Sequence, residues 1–88
     1  MKVKKVLLKT YYNFGGGEYI PFDSNPLHNK TYENVNVEIK EVTRTICNIE
    51  VDVDVIEIEG QKPIDCELVD SYTNPDGTLI IELCQDWG

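Results

Sequence analysis

Five carboxylates, Glu50, Asp52, Asp54, Glu57 and Glu59, fall within residues 49–59 with no lysine or arginine among them. Acidic side chains so spaced can hold a divalent cation, share a proton as an acid–base pair, or present a fixed negative face to a cationic partner. Two more, Asp70 and Glu82, come opposite each other if Asn74, Pro75, Asp76 and Gly77 close a hairpin, since proline presets the second turn position and glycine accepts a positive φ. A type I turn with a glycine bulge would then set Tyr72 against Ile80, Asp70 against Glu82 and Leu68 against Cys84. Opposed carboxylates are unfavourable unless a cation, a basic side chain or a shared proton separates them. The pair therefore reads as neutralised by Lys62 or an N-terminal lysine, as shifted by one in register, or as a divalent-metal or paired-carboxylate site.

Other residues with chemical potential are few. Cys47, Cys66 and Cys84 make an odd set without a close pair, which argues against a disulfide framework and for small buried hydrophobes in a reducing cytoplasm. With His28 they supply zinc-ligand types, but not the paired spacing of small zinc modules. His28 is the sole histidine, lies in a proline-containing loop with no visible base or nucleophile partner, and reads as a surface residue. Gly15, Gly16 and Gly17 lack the following Lys and Ser or Thr, and the helix, of a phosphate loop. No catalytic residues, metal or cofactor are expected.

The elements that must position these side chains are strands. Along residues 49–59 apolar β-branched residues alternate with acids, the pattern of a half-buried strand whose same-face neighbours lie about 6.6 Å apart. The step from Val55 to Ile56 breaks the alternation, which predicts a β-bulge that returns Glu57 and Glu59 to the face of the earlier carboxylates. Residues 2–11 read as a first strand, whose lysines could answer the acidic ladder if the two strands are neighbours. Residues 33–45 read as another, with Val35, Val37 and Ile39 on one side and a bend expected within 44–48. Further strands are expected at 66–72 and 79–85. Three glycines and Pro21 and Pro26 make residues 13–32 a long irregular connection, with an extended piece near 19–22 and room for a short helical turn. Tyr11, Tyr12, Phe14, Tyr19, Phe22 and Tyr32 cluster around it and either pin it to the core or form a contact patch. Trp87 is expected to cover an open end of the sheet.

No segment keeps a 3.6-residue period, so the fold expected is all-β: one domain over residues 1–88, a small, mainly antiparallel barrel or sandwich of five to seven strands. Residues 1–44 carry seven bases against five acids, whereas residues 45–88 carry Lys62 against eleven acids, for a net charge of −8. That field disfavours direct nucleic-acid or membrane binding and favours basic protein surfaces, including those built to hold nucleic acid. No secretory signal or spanning segment is apparent, and a cytoplasmic setting is expected.

In size, acidity and want of a catalytic motif the chain resembles the small inhibitors that phages direct at host defence nucleases, anti-CRISPR proteins among them. The resemblance is one of type and transfers no residue roles. It implies a non-enzymatic interaction module whose carboxylates Glu50, Asp52, Asp54, Glu57, Glu59, Asp70 and Glu82 bind a basic, nucleic-acid-handling protein as a nucleic-acid mimic. The alternatives are a structural or assembly subunit and a small divalent-metal-binding domain.

Overall fold

The structure, a computed structural model, describes residues 1–13 and 17–85. Among the described residues six strands follow one another, β1 (Lys2–Asn13), β2 (Tyr19–Pro21), β3 (Thr31–Ile46), β4 (Ile49–Ile58), β5 (Ile64–Thr73) and β6 (Thr78–Cys84), with no helix. β1 pairs antiparallel with β3, β3 with β4, β4 with β5 and β5 with β6. The parallel pairing of β1 with β6 then closes a five-stranded barrel, and β2 adds an extra strand along the end of β1. Closure removes the unpaired edges that an open sheet of this size would leave.

Alternation explains the lining. Val6 and Leu8 of β1, Val37 of β3, Ile56 and Ile58 of β4, Ile64 and Cys66 of β5, and Leu79, Ile81 and Leu83 of β6 form one buried cluster. A fully buried Leu or Ile contributes about 1.5–3 kcal/mol relative to exposure, so these side chains hold the barrel. Burial pushes the Cys66 thiol up to about 12, with nearby Asp54 and Asp65 adding to the effect.

The expected hairpin at residues 74–77 is present: the Asn74 N–H donates to Thr78 O, the Gly77 N–H donates to Asn74 O, and Gly77 has φ +91°. Asp76 takes the Thr78 N–H at 2.9 Å, and this bond holds its carboxyl below the usual value. Tyr72 faces Ile80 and Asp70 faces Glu82, as the turn chemistry predicts. An irregularity between Leu68 and Asp70 then shifts the ladder, so Leu68 faces Leu83 and not the expected Cys84, which faces Glu67.

The loop before β3 is fastened along β1. Leu8 N–H donates to Lys30 O, Asn29 N–H to Leu8 O, and Phe22 N–H to Thr10 O, so loop residues take over where strand pairing stops. Tyr12 meets Phe22 edge to face, Tyr11 and Tyr19 bond Glu82 and Glu67, and Tyr32 packs on the core. Tyr12 with Phe22, and Tyr19, thus tie residues of the long connection to the barrel, whereas Tyr11 joins β1 to β6; Phe14 and Trp87 lie outside the described residues.

Candidate functional site

β3 and β4 are longer than the barrel needs. β1 covers β3 only as far as Asn36, and β5 covers β4 only over Asp54, Val55 and Ile56. Beyond those points the two strands continue as a hairpin arm whose register runs unbroken from Val37 opposite Ile58 to Ile46 opposite Ile49. Cys47 and Asn48 make the turn, both with positive φ, 51° and 64°, the requirement of a two-residue type I′ connection. A straight 16-residue strand would span about 50 Å, more than the 40 Å long axis of the molecule, so β3 must coil. The arm thereby brings Arg44 to Asp65, 3.2 Å away.

The unbroken register overturns the predicted bulge at Val55 and Ile56. Both side chains are nonetheless buried, on opposite faces of a regular strand, which explains the lost alternation without an inserted residue. The acidic ladder is consequently split. Glu50, Asp52 and Asp54 share one face with Glu41, Thr43 and Thr45, while Glu57 points the other way and pairs with Lys40 at 3.1 Å. Glu59 lies past the strand end and accepts the Asn36 N–H at 2.9 Å. Asp54 is also engaged, taking the Leu68 N–H at 2.8 Å. The acids left facing outward are Glu41, Glu50 and Asp52, the last accepting a hydrogen bond from the Thr43 hydroxyl at 2.9 Å. Glu41 joins this set only through cross-strand pairing. The asparagine at position 48 between two β-branched runs was the one sequence signal that could have placed it there.

The opposite face of the arm is mixed. Val42, Arg44 and Ile46 face Val53, Val51 and Ile49, and at the tip Ile46 and Ile49 remain 49% and 63% exposed. The lysines of β1 do not answer the ladder, because β3 separates β1 from β4. Lys5 stands in register with Glu33 instead, and Lys9 with Glu82.

The opposed Asp70 and Glu82 are engaged separately. Lys9 lies beside Glu82 on one side as Asp70 does on the other. Asp70 turns to accept the Ser71 N–H at 2.8 Å, and Glu82 accepts the Tyr11 hydroxyl at 3.0 Å. Desolvation, then the bond to Glu82, raises the Tyr11 phenol above its ordinary value. Among the described residues no group of three or more His, Cys, Asp or Glu side chains gathers as a metal site.

No known protein family, curated protein or solved structure matches this chain.

Two expectations about reactive residues need correction. Cys47 is exposed at the arm's turn, whereas Cys66 and Cys84 are buried as expected; the turn, not the core, claims position 47. His28 is not a surface residue: its side chain is 11% exposed and bridges the loop to the barrel. Nδ1 accepts the Thr10 N–H at 3.1 Å and lies 3.1 Å from the Thr10 hydroxyl, while Nε2 lies 3.3 Å from Asp23. Hydroxyl, imidazole and carboxylate in sequence have the connectivity of a nucleophilic triad. Thr10, however, is fully buried and its hydroxyl already donates to Phe22 O, so no substrate can reach it. The arrangement is a latch. Around the base of the arm, Leu27, Tyr32, Arg44, Lys62, Pro63 and Asp65 help line a groove of about 890 Å³.

Proposed function

We propose that this protein is a non-enzymatic interaction module that docks through its β3–β4 arm onto a basic surface of another protein. The observation that carries the reading is the outward set Glu41, Glu50 and Asp52, which shares its face of the arm with two threonines and no cation. Every other acid of the ladder is spent on an internal bond or an ion pair. Side chains two apart on a strand repeat at about 6.6 Å, an interval suited to a surface that reads phosphates along an extended strand. The partner class is therefore a nucleic-acid-handling protein, and the role that of a small inhibitor or nucleic-acid mimic, approached by electrostatic steering. No described helix is long and apolar enough to cross a membrane.

The test is capture from a host lysate followed by measurement on the purified partner. A triple variant, Glu41→Gln with Glu50→Gln and Asp52→Asn, should weaken binding at least about tenfold and flatten its salt dependence. The single variant Glu18→Gln, an exposed acid away from the arm, should not. Nucleic acid should compete. Equal affinity of wild type and triple variant would sink the reading.

A second reading, a subunit of a larger assembly, is favoured by the exposed Ile46 and Ile49 at the tip. It predicts concentration-dependent oligomers that Ile49→Asp abolishes, and a strictly monomeric species in sedimentation would exclude self-assembly.

A further inference from the structure

We propose that the outer edge of β3 on the arm is a strand-addition site for an extended segment of the partner in which a basic residue precedes an apolar one by two positions. This rests on the arm as the docking element and specifies how the partner is held. The phase of the backbone bonds identifies the edge. Glu59 N–H donates to Asn36 O at 2.9 Å, so the even residues of β3 turn their backbone groups toward β4. Val37, one step on, turns its groups away: its N–H donates to Met1 O at 2.8 Å and its C=O accepts the Met1 amino group at 3.2 Å. Alternation continues through the regular register. Ile39, Glu41, Thr43 and Thr45 thus direct N–H and C=O outward, along an edge where no strand among the described residues lies. All four are exposed.

An added strand would lie in line with β1, past the backbone pairing of Met1 with Val37. At that point Met1, Val37, Ile39, Ser71 and Leu79 line a groove of about 370 Å³ at the barrel mouth. Opposite Ile39 the partner's side chain falls over this apolar groove. The next same-face position lies opposite Glu41, whose neighbours across the arm are Asp54 and, farther out, Asp52 and Glu50. An antiparallel partner strand, read in its own direction, therefore needs Lys or Arg, any residue, then a Leu-like residue. Antiparallel self-pairing centred on Val42 sets Lys40 against Arg44, and centred on Glu41 it sets the two Glu41 side chains against each other; a register centred on Thr43 opposes no like charges but sets Glu41 against Thr45, with no cation for the acidic face.

The probe is a short fluorescent peptide alternating lysine and valine and ending in leucine, titrated against the wild-type chain with amide exchange followed by NMR. The expected result is saturable binding with slowed exchange at Glu41, Thr43 and Thr45. Thr43→Pro, which removes an outward N–H at an edge position where proline is tolerated, should weaken binding at least about tenfold. If Thr43→Pro does not fold, the exchange pattern of the wild type decides. Binding that survives Thr43→Pro but is lost in Glu50→Gln with Asp52→Asn would overturn strand addition and leave the docking reading standing. Absence of saturable binding with unchanged exchange overturns the inference. So does a self-dimer that Thr43→Pro dissolves and the peptide does not.

Discussion

The Thr10 amide donates to His28 Nδ1 at 3.1 Å, so a loop side chain takes up a backbone donor of β1 between the stretches that pair with β3 and with β2. A donation into Nδ1 leaves Nε2 carrying the proton, aimed at Asp23. His28→Ala would strand a buried N–H, at a cost of about 1–3 kcal/mol. Chemical denaturation should show that loss. Asp23→Ala should cost much less, because that carboxylate is 87% exposed. Equal stability of His28→Ala and wild type would mean that water or a shifted loop replaces the latch.

The turn of the arm is not built from the residues its geometry prefers. Cys47 holds φ +51° and Asn48 φ +64°, where Asn followed by Gly is the favoured choice. Cys47→Asn with Asn48→Gly should stabilise the protein by about 0.5–1 kcal/mol. A thermal melt would read this as a rise of several degrees. A fall would show that the present pair makes contacts the backbone argument omits.

The three thiols should separate cleanly by reagent. Cys47 is exposed, while Cys66 and Cys84 are buried, so N-ethylmaleimide at neutral pH should add once to the native chain and three times to the unfolded one. Mass spectrometry counts the adducts. Rapid native labelling of Cys66 would mean that the barrel opens on the timescale of the reaction.

Stability should fall in alkali. Burial raises the Cys66 thiol from 9.0 to about 12, so the folded state holds that proton more tightly than the unfolded chain. The contribution is intact below pH 9 and is lost as pH rises toward 12, by up to about 1.4 kcal/mol for each unit crossed. Tyr11, also raised, acts in the same direction. Cys66→Ala should lower stability at pH 7 yet flatten its decline between pH 9 and pH 11; an unchanged slope would assign the alkaline loss elsewhere.

The sequence carried the parts of this fold that depend on near neighbours. Residues 74–77 state their turn in their own chemistry, and the pairing of Asp70 with Glu82 followed from it. The error at Leu68 arose because a bulge in β5 answers to curvature of the closed barrel, a property of all five strands together. Val55 and Ile56 misled for a related reason: where β4 runs between β3 and β5, residues on both of its faces are buried. A free arm with a single acidic face was half legible. Glu50 and Asp52 could be read from alternation, but Glu41 lies nine residues before Glu50 and shares its face only once the turn at Cys47 is known. The latch at His28 gave no local sign, since its partner Thr10 is an ordinary strand residue eighteen positions away.

The parallel seam between β1 and β6, from Lys5 beside Thr78 to Tyr11 beside Cys84, has a kinetic consequence. Contacts spanning most of the chain must form after the loops they close have been ordered, which slows folding toward the millisecond-to-second range. During synthesis the barrel cannot shut until its last strand exists. Until then the nascent chain shows β1 and β5 with open sides, and the carboxylates that crowd the later strands provide the like-charge repulsion that keeps such chains apart.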